Sequence, residues 1–357
     1  MFYRALGASG LNVPVIGLGT ANFRAGENPE TGIGESTAAR LVDIAIDRGG
    51  CILDTGDIYG AAEEVLGRLL VSRRERVLIA TKAGLRSGPD PNETGASRHH
   101  LIAACEASLK RLGTDHIDLF QLHSFDGRTP IEETLGAFDS LVRAGKIRYV
   151  GCSNHAGWQL MKALAAADRR GWPRYVAHQI SYSLANRDPE WELLPLGHDQ
   201  QVASLIWSPL SGGVLSGKYG RKGLPISALP FRGGGVRALA EEQLLDVIDC
   251  LSAIAAEVEG TPAQVALAWL LGRPTVATLF VGAGSDEQFE ASLDAVELQL
   301  SADQLNRLDE ASSRPAAYPY WHQQSVGRER IAMTLDLPRP TNVRVDDRLI
   351  VSKSRGS

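Results

Sequence analysis

Eight short apolar runs, separated by stretches of helical period, pass through the 357 residues, and that alternation predicts an α/β chain whose parallel strands close into a (β/α)8 barrel. The strand candidates are residues 14–18, 51–54, 77–82, 117–122, 147–152, 175–179, 202–207 and 276–281. Between them apolar side chains recur at helical spacing: Leu41, Ile44 and Ala45 in the first helix, Leu101, Cys105, Leu109 and Leu112 in the third, Ile131, Leu135, Phe138 and Val142 in the fourth. The length agrees, because barrels of about 250 residues, and longer ones with insertions, form one domain. A single domain over residues 1–333 is expected, followed by a polar C-terminal tail, 334–357, of unassigned structure.

Taken in order, residues 2–18 read as a β-hairpin, in which Phe2–Leu6 and Val13–Ile16 flank the turn-forming Gly7-Ala8-Ser9-Gly10. The stretch LDTGDIYG (53–60) follows an apolar run and precedes the helical Glu63–Leu70, so it reads as strand end, loop and helix start. Thr261-Pro262-Ala263-Gln264 and Ser301-Ala302-Asp303-Gln304 are capping boxes that start two late helices, the first with proline at its opening position. Residues 211–237 are glycine-rich without a period, and a loop of that length is commonly functional. Tyr318-Pro319-Tyr320-Trp321 is an aromatic cluster in irregular sequence.

Apolar residues make up 44% and charged residues 22%, the balance of a soluble globular chain. A net charge of −5 without any basic block argues against nucleic acid or an anionic membrane surface as partner. No apolar stretch of about 18 residues is present to span a bilayer, and Met1–Gly19 lack the charged-then-apolar pattern of a secretory leader. Cys51, Cys105, Cys152 and Cys250 are far apart, with no C-x-x-C pair, as in the reduced thiols of a cytoplasmic protein. Neither an H-x-x-x-H pattern nor clustered Cys and His occurs, so no metal is expected. A small molecule is the expected partner.

Four ionisable side chains stand at strand ends. Asp54, Lys82 and His123 close the runs 51–54, 77–82 and 117–123, and Tyr59 lies in the loop after Asp54. A parallel barrel gathers its strand ends at one mouth, so the four converge. The plainer alternative is a structural Asp54–Lys82 ion pair with Tyr59 packed beside it. His99, His100, His116 and His155 have no such company.

The segments LDTGDIYG (53–60), ATKAG (80–84), DLFQLHSFD (118–126), GCSN (151–154), HQISYSL (178–184), WSPLSGGVLSGKY (207–219) and GAGSDEQFEASL (282–293) stand in one order over roughly residues 3–315, and with them the chain resembles an aldo-keto reductase. The resemblance implies a TIM barrel with an N-terminal β-hairpin plugging its floor and long cofactor and substrate loops. It implies an NAD(P)H-dependent oxidoreductase that reduces an aldehyde or ketone by hydride transfer. Tyr59 is then the proton donor, Lys82 lowers its pKa, Asp54 holds Lys82, and His123 donates to the carbonyl oxygen. Phe23, Tyr59, His123 and Phe125 form the implied substrate pocket, with Tyr182 and residues 318–321 as further apolar wall.

For the cofactor the resemblance implies Thr20 and Asp54; Ser153, Asn154 and Gln179 on the nicotinamide carboxamide; Trp207, where many relatives carry Tyr, against the ring; Ser208, Leu210, Gly212 and Lys218 on the pyrophosphate; and Gly282, Ala283, Gly284, Ser285, Gln288 and Ser292 at the adenosine end. Turn capping by Ser153-Asn154 and a core role for Trp207 are the structural alternatives. The chain departs from the family at Gly284, where Arg or Lys is usual, and at Ser292, which is often Asn. NADP(H) is therefore expected to be favoured, with NAD(H) usable, and Arg221 and Lys222 are the candidates to replace the missing cation. No G-x-G-x-x-G is present, which argues for binding by barrel loops and against a Rossmann domain. Two other readings stay open: a dehydrogenase oxidising an alcohol or sugar with NAD(P)+, and a cofactor-binding sensor or regulatory subunit with little turnover, like the channel β-subunits that share this fold.

Overall fold

The computed structural model describes residues 1–26, 32–49, 51–225, 239–326 and 337–344. The chain opens with the antiparallel hairpin β1 (Phe2–Ala5) and β2 (Asn12–Pro14). The barrel strands follow: β3 (Ile16–Gly19), β4 (Cys51–Asp54), β5 (Val77–Ala83), β6 (Ile117–Leu122), β7 (Ile147–Ser153), β8 (Ala177–Ser181), β9 (Ala203–Trp207) and β10 (Val276–Val281). They close in the order β10-β3-β4-β5-β6-β7-β8-β9, every pair parallel, so the expected (β/α)8 barrel is what forms. Two strands start two residues later than the apolar runs suggested. Pro14 belongs to the hairpin, and Tyr175 precedes β8. No helix among the described residues is long and apolar enough to cross a membrane.

Successive side chains on a strand point to opposite faces, and the barrel sorts its residues by that rule. Ile52, Ala80, Leu119, Ala177, Ala203, Leu205, Ala277 and Phe280 fill the interior, and Leu6 and Val13 of the hairpin join them from the floor. The alternate positions, among them Leu53, Ile79, Phe120, Val150, Ile180 and Ile206, belong to the larger core between sheet and helices. Register then aims the polar ends. Asp54 pairs with Ala80, and Lys82 stands two residues farther along β5, on the same inward face.

Both expected capping boxes are made: Thr261 Oγ1 accepts from the Gln264 N–H and Ser301 Oγ from the Gln304 N–H. Helices Ala62–Leu69 and Arg98–Leu112 approach closely at Gly67, where an added Cβ would stand 2.3 Å from the Arg111 carbonyl oxygen. Gly67→Ala is expected to destabilise the fold by about 1–3 kcal/mol through overpacking. A chemical-denaturation midpoint equal to wild type would refute it.

The tail is not wholly separate from the body. Val343–Arg344 form β11, which pairs antiparallel with β1. The buried Arg4 joins the pieces: its guanidinium donates to the carbonyls of Val276 and Leu271 at 2.6 and 2.7 Å and to Asn342 Oδ1 at 2.7 Å. The domain boundary expected at residue 333 lies outside the described residues, as does the stretch 226–238 of the glycine-rich loop. The start of that loop, Ser211–Ser216, forms a short 3-10 segment.

Candidate active site

At the C-terminal ends of β4, β5 and β6 the structure brings Asp54, Tyr59, Lys82 and His123 together. Lys82 Nζ is fully enclosed and donates to Asp54 Oδ1 at 2.7 Å, Asp54 Oδ2 at 2.9 Å, the Thr55 carbonyl at 2.7 Å and the Tyr59 hydroxyl at 3.3 Å. It also lies 4.8 Å from the Tyr59 ring centre. Gln179 Nε2 donates to Asp54 Oδ1 at 2.7 Å, so a strand from across the barrel fixes the carboxylate. The Thr20 hydroxyl and N–H both donate to the Asp54 carbonyl, each at 2.9 Å. The His123 ring meets Tyr59 edge to face at 5.7 Å.

Burial pushes the Tyr59 phenol above its usual value. The Lys82 ammonium opposes this, while the carboxylates of Asp54 and Asp57 add to it. From the sequence Lys82 is expected to lower this group; in the protein by itself burial outweighs the cation, so the phenol keeps its proton. Burial also pushes the Asp54 carboxyl up, against Lys82 and Gln179. For Lys82 burial favours the amine, but Asp54 and Tyr59 overcome it and the ammonium is retained. His123 is pushed down to about 3, by burial first and Lys82 second, so its imidazole is neutral at ordinary pH.

The residues expected at the nicotinamide end cluster at the ends of β7, β8 and β9, and they already bond to one another. Ser153 Oγ donates to the Gln179 carbonyl at 3.0 Å. Asn154, in a left-handed conformation that asparagine tolerates, donates from Nδ2 to the His123 carbonyl and accepts at Oδ1 from Trp207 Nε1. The half-buried indole is thereby held at the mouth and is not a core residue. Two histidines with no role expected from the sequence brace this end: His155, read there as without company, and His178. His178 Nε2 accepts the His155 N–H at 3.1 Å, and His155 Nδ1 donates to the Ser153 carbonyl at 2.8 Å. Both rings are buried and pushed down, to about 3 and about 4, so they are neutral braces for the Ser153–Asn154 turn. His178 sits beside Gln179 on a strand, and the alternation rule alone places it on the opposite, helix-facing side.

Above β9, Ser208, Ser211, Gly212 and Gly213 all have left-handed backbones, which folds the chain sharply with small side chains; Leu210 is half-buried and Lys218 exposed. At the end of β10, Gly282 and Gly284 are exposed, and the Gly284 N–H donates to Gln288 Oε1. Ser285 caps the helix Asp286–Asp294 by accepting the Gln288 N–H, and the buried Ser292 hydroxyl donates to the Gln288 carbonyl. Arg40 donates to Asp286 at 2.7 Å. Arg221 is ion-paired with Glu242, Asp246 and Asp249, so three carboxylates already hold this candidate for the missing cation.

The expected substrate wall is only partly present. Phe23 and Tyr182 are wholly enclosed, Tyr182 with its hydroxyl on Glu190, because both face the helix layer and not the mouth. Phe125 remains half-buried near the mouth and packs edge-on against His155 and the exposed Trp158, each at 5.5 Å. Tyr318 and Trp321 are exposed, and Tyr320 stacks on Trp191.

Sequence comparison agrees with this geometry. The chain is 37% identical over 333 residues, spanning 88% of this chain and 97% of the relative, to the uncharacterized oxidoreductase YrpG of Bacillus subtilis. It is 33% identical to L-glyceraldehyde 3-phosphate reductase of Escherichia coli, over 87% of this chain and 92% of that one. It is 34% identical to a probable voltage-gated potassium channel subunit beta of Arabidopsis thaliana, over 84% and 92%. The profile of the Aldo/keto reductase family matches residues 15–313, a span that begins just before β3 and runs past β10. With eight parallel strands closed around an Asp–Tyr–Lys–His cluster and this match over most of its length, the chain belongs to the aldo/keto reductase family.

Proposed function

We propose that the protein reduces an aldehyde or ketone to an alcohol with a nicotinamide dinucleotide, Tyr59 giving the proton. The observation that carries this is the bonding of one buried ammonium, Lys82, to both the Asp54 carboxylate and the Tyr59 hydroxyl. The nicotinamide, when bound, supplies the hydride. Tyr59 donates its proton to the carbonyl oxygen as negative charge develops there. The neutral His123 donates a hydrogen bond to the same oxygen and fixes its position. Lys82 stabilises the phenolate that remains, and Asp54 and Gln179 keep Lys82 in place.

The residues present suit such a dinucleotide. Trp207 offers an aromatic face held by Asn154, the turns at 208–213 bring small side chains and backbone close to one spot, and Lys218 is an exposed cation beside them. A panel of aldehydes, ketones and alcohols run with both reduced and oxidised cofactors tests the reading, since turnover of no carbonyl would oppose it. The channel-subunit relatives favour a second reading, a cofactor sensor. Quenching of cofactor fluorescence without turnover on that panel is its signature.

NADPH is the favoured cofactor in this reading, with a narrow margin over NADH. Position 284 carries no cation, and Arg40 and Arg221 are both engaged by carboxylates. A hydrogen bond to a charged group contributes about 1.5–3 kcal/mol, so its loss costs roughly 10- to 150-fold in preference. The backbone at Gly284 admits a side chain, since among the described residues a Cβ would meet only Gln288 Oε1, at 3.4 Å. Gly284→Arg is expected to widen the NADPH preference by about tenfold or more, measured as dissociation constants for both cofactors at fixed salt. A wild type already preferring NADPH by more than about a thousandfold, some 4 kcal/mol, would show that other residues hold the phosphate.

A further inference from the structure

The loop that carries Tyr59 also holds a carboxyl that the chemistry above does not use. Both carboxylate oxygens of Asp57 are buried, and neither has a hydrogen-bond partner among the described residues. The Asp57 N–H donates to the Lys82 carbonyl at 3.0 Å, which ties the residue to the strand bearing the ammonium. The charged and titratable groups facing it come from every side: Glu63 of helix Ala62–Leu69, Arg111 of helix Arg98–Leu112, Lys82 of β5 and Tyr59 of its own loop. Glu63 is itself buried and fully engaged, accepting from Thr81 Oγ1 at 2.6 Å and from Arg111 Nε at 2.7 Å. Ion-paired with Arg111, it faces Asp57 as a second carboxylate. The Ile58 N–H faces the carboxyl but makes no hydrogen bond to it, and no other donor among the described residues reaches it; beside another carboxylate and away from water a carboxylate is unfavourable there, and a neutral carboxylic acid is not.

We propose that Asp57 is a positioning residue for the proton chemistry of Tyr59: its carboxyl is neutral while Tyr59 donates, and its ionisation makes Tyr59 a poorer donor. This rests on Tyr59 being the proton donor. Tyr59 gives its proton to the substrate oxygen and is left as phenolate. Asp57 gives none in that step, and exchanges its own proton with solvent as the pH changes. Burial first, then Glu63, pushes the Asp57 carboxyl up to about 7, against Arg111, the Ile58 N–H and Lys82. Below that pH no charge at Asp57 opposes the phenolate; above it the carboxylate does.

The test is the pH profile of kcat/KM for carbonyl reduction in wild type and Asp57→Asn. Wild type is expected to lose roughly three- to tenfold as the pH rises through about 7, and Asp57→Asn to stay level over the same interval. Infrared difference titration supplies a readout independent of activity. The carboxylic-acid C=O band of wild type should vanish near pH 7 and be missing from Asp57→Asn. A raised carboxyl pKa also lowers stability as pH rises, so Asp57→Asn should gain melting temperature relative to wild type between about pH 4 and pH 8. If Tyr59→Phe keeps its turnover, the donor reading falls and the coupling with it, while the infrared titration still reports Asp57 by itself. Identical pH profiles in wild type and Asp57→Asn, or an Asp57 carboxylate already ionised at about pH 5.5, would overturn the proposal.

Discussion

Tyr59→Phe is expected to lower turnover by at least about 10²-fold, the lower end of what a positioned proton donor contributes. The substitution keeps the ring, and with it the edge-to-face contact with His123, and removes only the hydroxyl that Lys82 reaches at 3.3 Å. One such hydrogen bond is worth about 0.5–1.5 kcal/mol net, so the fold should survive and cofactor affinity should change little. The decisive comparison is single-turnover reduction by wild type and variant, with deuterated cofactor used to show that chemistry limits the rate. A variant that keeps most of its turnover under those conditions takes the donor role away from Tyr59.

Lys82→Met should act on both activity and stability. Removing the cation that opposes burial raises the Tyr59 phenol further. A loss of one to three pKa units of stabilisation lowers the phenolate fraction by about 10- to 10³-fold near neutral pH. Alcohol oxidation, which needs the phenolate, should suffer by that order and recover toward alkaline pH, whereas an unchanged pH–rate profile would contradict the coupling. The same change leaves Asp54 buried with Gln179 but without its cation. Breaking a buried pair in this way costs about 3–5 kcal/mol. An unpaired Asp54 relieves that cost by taking up a proton, so the deficit is expected in full at neutral pH and to shrink as the pH falls. Thermal unfolding at several pH values reads it.

How much of this was legible beforehand follows from what each signal depends on. The barrel was readable because β-strands of a parallel sheet covered on both faces are near-continuous apolar runs, and residues 77–80 and, but for Thr278, Val276–Val281 are such runs. Asp54, Lys82 and His123 were readable for a related reason, as polar residues that end apolar strands. What the sequence hid depends on rotation about a strand or helix axis. Phe23 and Tyr182 are aromatic residues near the expected mouth, yet they face the helix layer. Glu63 looked like an ordinary charge at a helix start, and only the approach of Arg111 at Gly67 and the outward turn of Thr81 show it to be buried. Asp57 gave no signal, because the absence of a partner is a property of three dimensions. The pairing of β11 with β1 was equally invisible, two residues being too short a run to read as a strand.

The pairing of β3 with β10 has a consequence for the chain as it is being made. The strand that begins the barrel, Ile16–Gly19, takes its second neighbour from Val276–Val281, roughly 260 residues later. At about 5–20 residues per second of synthesis, one edge of the growing sheet stays open for some tens of seconds. During that interval the apolar β3 is a template for any other extended segment, including its own copy on a neighbouring ribosome. Slowed elongation before Val276 should then raise the yield of aggregate without altering the folded enzyme at all.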